Sequence, residues 1–446
     1  MNTPICDFVA EYNRKNMIRG HMPGHKGVPV LGMEPMDITE IQGADSLYDA
    51  DGIIHESEEN ASALFGCPTF YSTEGSTQCI KAMVYLALQF AKRQGKRPLI
   101  AAGRNAHKAF ITAAALMDAD VEWIFPKENE SYLSCCPTAD ETDAFLGAHR
   151  PAALYLTSPD YLGHMADIQG IAKVCKKHGV LLLVDNAHGA YLRFLEPSLH
   201  PMDLGADLCC DSAHKTLPVL TGGAYLHLSD DMAKVFPRTQ VKKAMSLFGS
   251  TSPSYLILQS LDKANELLAN DLPERIRDAA DSQSLFNGYF TEEAGHTLAG
   301  NEPLKITVKC KPSGYTGTEL ADILRKENVE CEFCDPDYLV LMRSVMGDFW
   351  RAMPWERVLL MLKKKPPIPD APPMFSKPEK VLRIRDAVMA QSEIIPAEKS
   401  LGRILAGITV GCPPAVPIVV SGERIDENAL HCFAYYGISH VDVVKE

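Results

Sequence analysis

At 446 residues the chain exceeds the roughly 250–300 at which a single hydrophobic core stops growing, so more than one domain is expected. Its 46% hydrophobic and 23% charged residues are ordinary for a globular protein. A net charge of −13 with scattered basic residues argues against nucleic acid or an anionic membrane surface as a partner.

In chain order, residues 1–55 are rich in Gly, Pro and His and read as an irregular arm around Gly20-His21-Met22-Pro23-Gly24-His25-Lys26-Gly27. From about residue 60 to 270, short apolar runs alternate with amphipathic stretches. The runs predict strands at 97–102, 121–125, 153–157, 180–185, 207–211 and 223–228; helices fit at 76–94, 107–117 and 168–178. Strands separated by helices indicate a parallel sheet with right-handed crossovers, and nearly continuous apolar strands indicate a sheet covered on both faces. Helical patterns follow at 254–268 and roughly 274–293. A second α/β region has strands at 304–309, 330–333 and 338–342 and helices at 317–327 and 355–362. Six prolines within 363–380 make that stretch a linker, and the last ~60 residues regain α/β character. The expected division is an arm over 1–55, a large domain over 56–280 and a smaller α/β region over 281–446.

No apolar run approaches the ~20 residues of a membrane span, and the opening Met1-Asn2-Thr3-Pro4 is not the start of a secretion signal. Thirteen cysteines without such a signal read as reduced thiols of a cytoplasmic protein. Cys331 and Cys334 form a Cys-x-x-Cys pair, but no second ligand pair is spaced to complete a zinc site, so no metal is expected and a redox role is the alternative. Cys209 and Cys210 read as small core residues of a strand.

Ligands of an open α/β sheet bind beyond the C-terminal ends of its strands. One such end is Leu181-Leu182-Leu183-Val184-Asp185; another leads into Ser212-Ala213-His214-Lys215-Thr216. A lysine in such a turn and a strand-end acid are what pyridoxal phosphate (PLP) requires. The lysine forms a Schiff base with the cofactor aldehyde, and the acid pairs with the ring nitrogen. Taken singly, the lysine is equally a solvated surface residue and the acid a helix cap. Other segments suit the same cofactor. In Thr73-Glu74-Gly75-Ser76-Thr77, Gly75 and Ser76 can cradle a phosphate at a helix start, the alternative being a plain N-cap. His107 follows a strand and could stack on a pyridine ring, or be an ordinary loop histidine. His188, three residues after Asp185, is placed to order that acid or to contact ring substituents. Thr251 and Ser252, in Gly249-Ser250-Thr251-Ser252-Pro253-Ser254-Tyr255, could add phosphate contacts across a dimer interface, or simply cap a helix.

Together these segments carry a resemblance. The series His21-Met22-Pro23-Gly24-His25-Lys26-Gly27, Asp45-Ser46-Leu47-Tyr48, Thr73–Thr77, Arg104-Asn105-x-His107-Lys108, Asp185-x-Ala187-His188-Gly189, Ser212-x-His214-Lys215-Thr216-Leu217 and Thr251-Ser252-Pro253-Ser254-Tyr255 resembles the bacterial ornithine/lysine/arginine decarboxylase family. The likeness runs in order over about 20–260 and resumes near Ser400-Leu401-Gly402-Arg403-Ile404. It implies the aspartate-aminotransferase fold (PLP fold type I), with a large mixed, mostly parallel sheet domain and a smaller C-terminal α/β region. The chain is similar to the short form that lacks a receiver-like wing domain. The resemblance makes Lys215 the Schiff-base lysine, Asp185 the partner of the ring nitrogen and His107 the stacking residue. Gly75 and Ser76 would hold the phosphate, with Ser212 and His214 nearby and Thr251 or Ser252 reaching a partner subunit's site. Where the family has Ala-Glu followed by a Pro-Tyr-Pro-Pro-Gly-Ile-Pro-like run, this chain has Ala406-Gly407-Ile408 and then Cys412-Pro413-Pro414-Ala415-Val416-Pro417.

The expected activity is PLP-dependent decarboxylation of a basic amino acid, arginine or lysine ahead of ornithine, by a homodimer or higher homo-oligomer. The alternatives are another fold-type-I reaction, aminotransferase or carbon–sulfur lyase, and a non-catalytic regulator of polyamine synthesis. With Gly407 in place of the acid, Asp45, Asp49 and Glu56 are the candidates to meet the substrate's distal cation.

Overall fold

The computed structural model describes the chain apart from residues 128–130, 348–352 and 413–415. The described residues gather into two compact units, Met1–Gly95 with Leu181–Ile276, and Lys96–Val180 with Arg277–Glu446.

Among them, seven strands form the large sheet: β1 Thr69–Ser72, β2 Leu99–Gly103, β3 Asp120–Ile124, β4 Ala153–Thr157, β5 Leu181–Asp185, β6 Leu208–Asp211 and β7 Ala224–Leu228. Their order is β1-β7-β6-β5-β4-β2-β3. β2 runs parallel to β3 and β4, and β5 runs parallel to β6. Every residue of β5 is buried, as its unbroken Leu-Leu-Leu-Val run requires of a central parallel strand. β7 departs from the expected parallel reading: it is antiparallel to β6, and β1 is antiparallel to β7. The link from Asp211 to Ala224 contains a single helical turn, too little to carry the chain back across a sheet face for a parallel return. The chain instead reverses through Gly222, whose φ of +101° favours glycine and where a Cβ would lie 2.9 Å from the Thr73 carbonyl oxygen.

The helices around these strands are α1 Pro4–Arg14, α2 Ile53–Phe65, α3 Gly75–Arg93, α4 Lys108–Met117, α5 Ala139–His149, α6 Ile168–His178 and the short α7 Ala213–Thr216. The arm is therefore not irregular throughout. Pro4 sits in the first turn of α1, and Ile5 and Val9, one helical turn apart, are buried. The amides of Ile5 and Cys6 each donate to Asp262 Oδ2 at 3.0 Å, so a buried carboxylate caps the helix from a remote part of the chain. α5 was legible but not expected: Thr138 and Glu141 form a reciprocal capping box.

In the second unit, β8 Thr297–Ala299, β9 Lys305–Lys309, β10 Phe333–Cys334 and β11 Tyr338–Met342 form a sheet in the order β10-β11-β9-β8. The strand expected at 330–333 is thus confined to its last residue and Cys334. Ile306, Val308, Leu320, Leu339 and Trp355 pack into one apolar cluster beside it. The linker at 363–380 forms no helix or strand beyond an isolated bridge from Lys380 to Glu423. Ser392–Pro396 pairs with His440–Val444, and Glu427–Tyr435 is helical, as the renewed α/β pattern implied. Pro413, Pro414 and Ala415 lie outside the described residues.

One ion pair anchors the loop that leads to His107. Arg104 is 1% exposed and donates through both terminal nitrogens to the buried Glu423 carboxylate, at 2.7 and 2.6 Å. Its guanidinium also lies 5.2 Å from the Trp123 ring centroid and 5.5 Å from that of Phe125. Breaking one side of a buried pair strands the other charge. Glu423→Gln should cost about 3–5 kcal/mol in urea unfolding, whereas a loss below about 1 kcal/mol would mean that the pair behaves as a solvated one.

Candidate active site

β5 and β6 are neighbours in parallel register, with Asp185 opposite Cys210, so their C-terminal ends lie side by side. From β5 emerge Asp185, Asn186 and His188; from β6 emerge Asp211, Ser212 and α7, which carries His214 and Lys215. Asp185 is 2% exposed, and its Oδ1 accepts the Ala187 amide at 3.2 Å and lies 3.6 Å from the Cys210 thiol. Lys215 Nζ lies 3.1 Å from His188 Nε2, and the lysine is otherwise exposed in the single chain. The structure thus brings Lys215, His188 and the Asp185 loop together.

The phosphate turn belongs to the same unit. Gly75 opens α3 with φ +70°, its amide donates to the Gly222 carbonyl at 2.8 Å, and no atom of the described residues beyond its chain neighbours lies within 4 Å of where its Cβ would stand. Glycine leaves this helix start open to an anion, which backbone amides and the helix dipole both favour. Ser76 accepts a hydrogen bond from the buried Ser212 hydroxyl at 2.8 Å, so the phosphate turn and the lysine turn share a contact. His214 Nδ1 pairs with the Gly223 carbonyl at 3.0 Å and so carries the proton. Burial, together with the charge of Lys215, lowers the His214 pKa despite that hydrogen bond. Next to Lys215, Thr216 Oγ1 is buried with no hydrogen-bond partner among the described residues. An open anion cradle, a reachable amine, a buried acid and an orphaned hydroxyl are the donor set PLP calls for, so these residues fit the cofactor.

His107 is the N-cap of α4 in the second unit, half-buried, with Nδ1 accepting the Ala109 amide at 3.2 Å. Thr251 and Ser252 are exposed; the Ser252 amide donates to Ser250 Oγ at 3.1 Å, and Ser254 caps the helix Tyr255–Leu268. Within one chain, the capping alternative raised for this segment therefore holds at Ser254. Asp45 has a structural task. Its Oδ2 accepts the amides of Gly52, Ile54 and His55 at 2.9, 3.0 and 3.3 Å, closing the N-terminus of α2. Asp49 and Glu56 are exposed, and Glu56 is paired with Asn2. A cavity of about 400 Å³ in the second unit, walled by Trp123, Phe125, Phe145 and Phe375, contains none of the residues singled out from the sequence.

Sequence reasoning missed a buried cluster behind this site. Asp211 accepts from Asn186 Nδ2 at 2.7 Å through Oδ1, and from His200 Nε2 at 3.0 Å and His227 Nε2 at 3.1 Å through Oδ2. All four side chains are fully buried. A strand-end acid at Asp211, matching that at Asp185, was the available signal; the histidines had none, being remote in sequence. Burial alone would raise the Asp211 carboxyl, but the two imidazoles outweigh it and hold the group far below the usual carboxylate range.

Residues 3–280 match the family described as Orn/Lys/Arg decarboxylase, major domain. The chain belongs to the ornithine/lysine/arginine decarboxylase family. This decarboxylase is 29% identical to the protein YaaO of Bacillus subtilis, over 96% of this chain and 93% of the relative. It is also 29% identical to an arginine decarboxylase of Halalkalibacterium halodurans, over 96% of this chain and 92% of the relative. Among solved structures, the constitutive lysine decarboxylase of E. coli superposes with a TM-score of 0.77 at 17% identity, covering all of this chain and 82% of that one. The fold is that of the PLP fold-type-I enzymes, and the chain is a PLP-dependent amino acid decarboxylase; the family implies the cofactor. No helix among the described residues is long and apolar enough to cross a membrane.

The buried histidines make a pH prediction. Burial lowers the His227 pKa below its ordinary 6.5, against the pull of Asp211. The unfolded chain therefore takes up a proton near pH 6.5 that the fold refuses. Stability should be full above that pH and decline as pH falls below it. His227→Gln, which keeps an N–H for Asp211, should flatten that decline in unfolding curves taken at successive pH values. An unchanged slope would show that His227 takes up its proton in the fold as freely as out of it.

Proposed function

We propose that this chain decarboxylates a basic amino acid, arginine or lysine ahead of ornithine, using PLP held on Lys215. The carrying observation is the meeting of Lys215, His188 and the Asp185 loop at the ends of two adjacent parallel strands. When bound, the cofactor supplies an electron sink for the pair left at Cα as CO₂ departs. Lys215 would hold the cofactor aldehyde and be displaced by the substrate amine. Asp185, buried and therefore weakly screened, would keep a proton on the ring nitrogen. Gly75, Ser76 and Ser212 would hold the phosphate, and His107 would stack on the ring. Proton return to Cα is assigned to Lys215 with His188, whose Nε2 at 3.1 Å can exchange a proton with Nζ; His214, with Nε2 open as an acceptor, is the second base of that turn. Burial of the acid and its neighbours excludes water and favours loss of a charged carboxylate.

The working unit is proposed to be a cytoplasmic homodimer. In the single chain Ile18, Val30 and Leu31 of the arm are 99%, 80% and 88% exposed, an apolar stretch of the kind that a second subunit covers. Thr251 and Ser252, exposed in one chain, would reach the partner's phosphate.

Incubation of the PLP-loaded protein with each basic amino acid should yield the amine and CO₂. A keto acid would indicate transamination instead, and no turnover a non-catalytic role. Lys215→Ala should abolish turnover and the borohydride-reducible lysine adduct; an adduct persisting at the site would remove Lys215 from its role.

Since Asp45 is committed to α2, the substrate's distal cation is assigned to Asp49 or Glu56. This segment is tied to the phosphate helix by Gln78, whose Nε2 donates to Tyr48 at 2.6 Å. Asp49→Asn or Glu56→Gln should raise the KM for the basic amino acid roughly tenfold with kcat largely kept, as expected for loss of one charge-assisted contact. An unchanged KM in both variants would place the cation elsewhere.

A further inference from the structure

We infer that Asp211 is the positioning residue of this site: through Asn186 it sets the loop bearing Asp185 and His188 against the turn bearing Lys215, while His200 and His227 hold it in place. The inference rests on the reading of Asp185 and Lys215 as cofactor groups. Beyond Asp185 and Asp211 the β5–β6 ladder ends, so backbone pairing no longer dictates how the two chain segments face each other. Asn186 bridges that gap twice. Its amide donates to the Cys210 carbonyl at 3.0 Å and its side chain to Asp211 Oδ1 at 2.7 Å, so one residue grips consecutive positions of β6. Asp185 precedes it and His188 follows by two; Lys215 lies one turn beyond Asp211. The loop is shaped around this side chain, since a Cβ at residue 189 would fall 2.0 Å from Asn186 Oδ1, which only Gly189 avoids.

The carboxylate at 211 is required by the geometry of its donors. Both imidazoles aim Nε2 at one oxygen while Asn186 fills the other. His200 Nδ1 accepts the Met202 amide at 3.3 Å, which leaves the proton on Nε2 facing Asp211. An amide at 211 has a single acceptor oxygen and would turn an N–H toward one of these donors. His200, Cys209 and Asp211 also lie close enough to one another to hold a metal ion, and without one burial keeps the Cys209 thiol protonated, well above its ordinary range.

The test uses the full-length protein and PLP alone. Asn186→Ala removes the link and leaves Asp211 with its histidines; Asp211→Asn leaves one acceptor oxygen where there were two. PLP dissociation constants, the visible absorbance of Lys215-bound cofactor and the borohydride-trapped fraction at Lys215 are read beside thermal unfolding of the cofactor-free protein. Each single variant should bind PLP roughly tenfold more weakly and shift the absorbance, as loss of a charge-assisted hydrogen bond implies. The double variant should be no worse than the weaker single one, because both act through one contact. His200→Gln, which restores an N–H, should retain binding where His200→Leu does not; this pair carries the test if Asp211→Asn fails to fold. Wild-type PLP affinity, absorbance and trapping in Asn186→Ala, with only a lower unfolding temperature, would reduce the network to a structural one and overturn the inference. If the wild-type protein itself traps no PLP at Lys215, the functional reading falls, and the inference with it; the wild-type control separates the two failures.

Discussion

A buried carboxylate survives in a protein interior only if its acceptors are filled, and Asp211 meets that demand at the point where the site begins. Three nitrogen donors from three separate elements converge on it, Asn186 after β5, His200 from the following connection and His227 from β7, and the Cys209 thiol adds a longer contact of 3.8 Å. The parallel pair β5–β6 supplies the platform, and this convergence decides what stands on it. Moving any of the three would leave either a charge or a donor stranded in the core. The lysine turn therefore inherits its position from a network that contains none of the reacting groups.

The same economy recurs elsewhere in the first unit. Asp262 accepts from the amides of Ile5 and Cys6 and from the Ser57 hydroxyl, holding the N-terminal helix and α2 to the helix that runs from Tyr255 to Leu268. Burial raises the Asp262 carboxyl, and the donors around it oppose that shift. Glu58, fully buried, is paired with Lys242 and Arg238 while also accepting the Tyr71 amide at 2.8 Å. Asp45 closes α2. Asp262 and Glu58 take the amides or cations of segments distant in sequence and Asp45 those of the turn just after it, so an arm without a continuous apolar pattern is still pinned down. Asp211, Asp262, Glu58 and Asp45 are thus internal fasteners rather than acids free for a cationic substrate.

The departure at Gly407 also has a local consequence. The amides of Ala406 and Gly407 both donate to the Asp442 carbonyl, at 3.0 and 3.1 Å, and the Gly407 carbonyl accepts the Ser421 hydroxyl. Backbone bonds thus hold the segment on both sides without any contribution from a side chain at 407.

Much of the architecture was legible in the residues because burial on both faces writes itself locally. The apolar runs at 153–157 and 180–185 read as strands of a covered sheet and Ile168–His178 as a helix between them, and the structure forms Ala153–Thr157, Leu181–Asp185 and that helix. The positions of Gly75, Lys215 and Asp185 were legible too: the structure places them at a helix start, in the turn after a strand and at a strand end. Strand direction was not, because β7 reverses on account of a link too short to cross the sheet, and that follows from three-dimensional span rather than from pattern. Nor were the partners of the buried acids. Asp262 meets Ile5 at a separation of 257 residues and Asp45 turns from candidate ligand into helix cap, because a hydrogen bond is decided by proximity and angle, which only the folded chain creates. The sequence by itself determined which residues could carry the chemistry; the tertiary structure alone decided which carboxylates were left to do so and which were spent on holding the others in place.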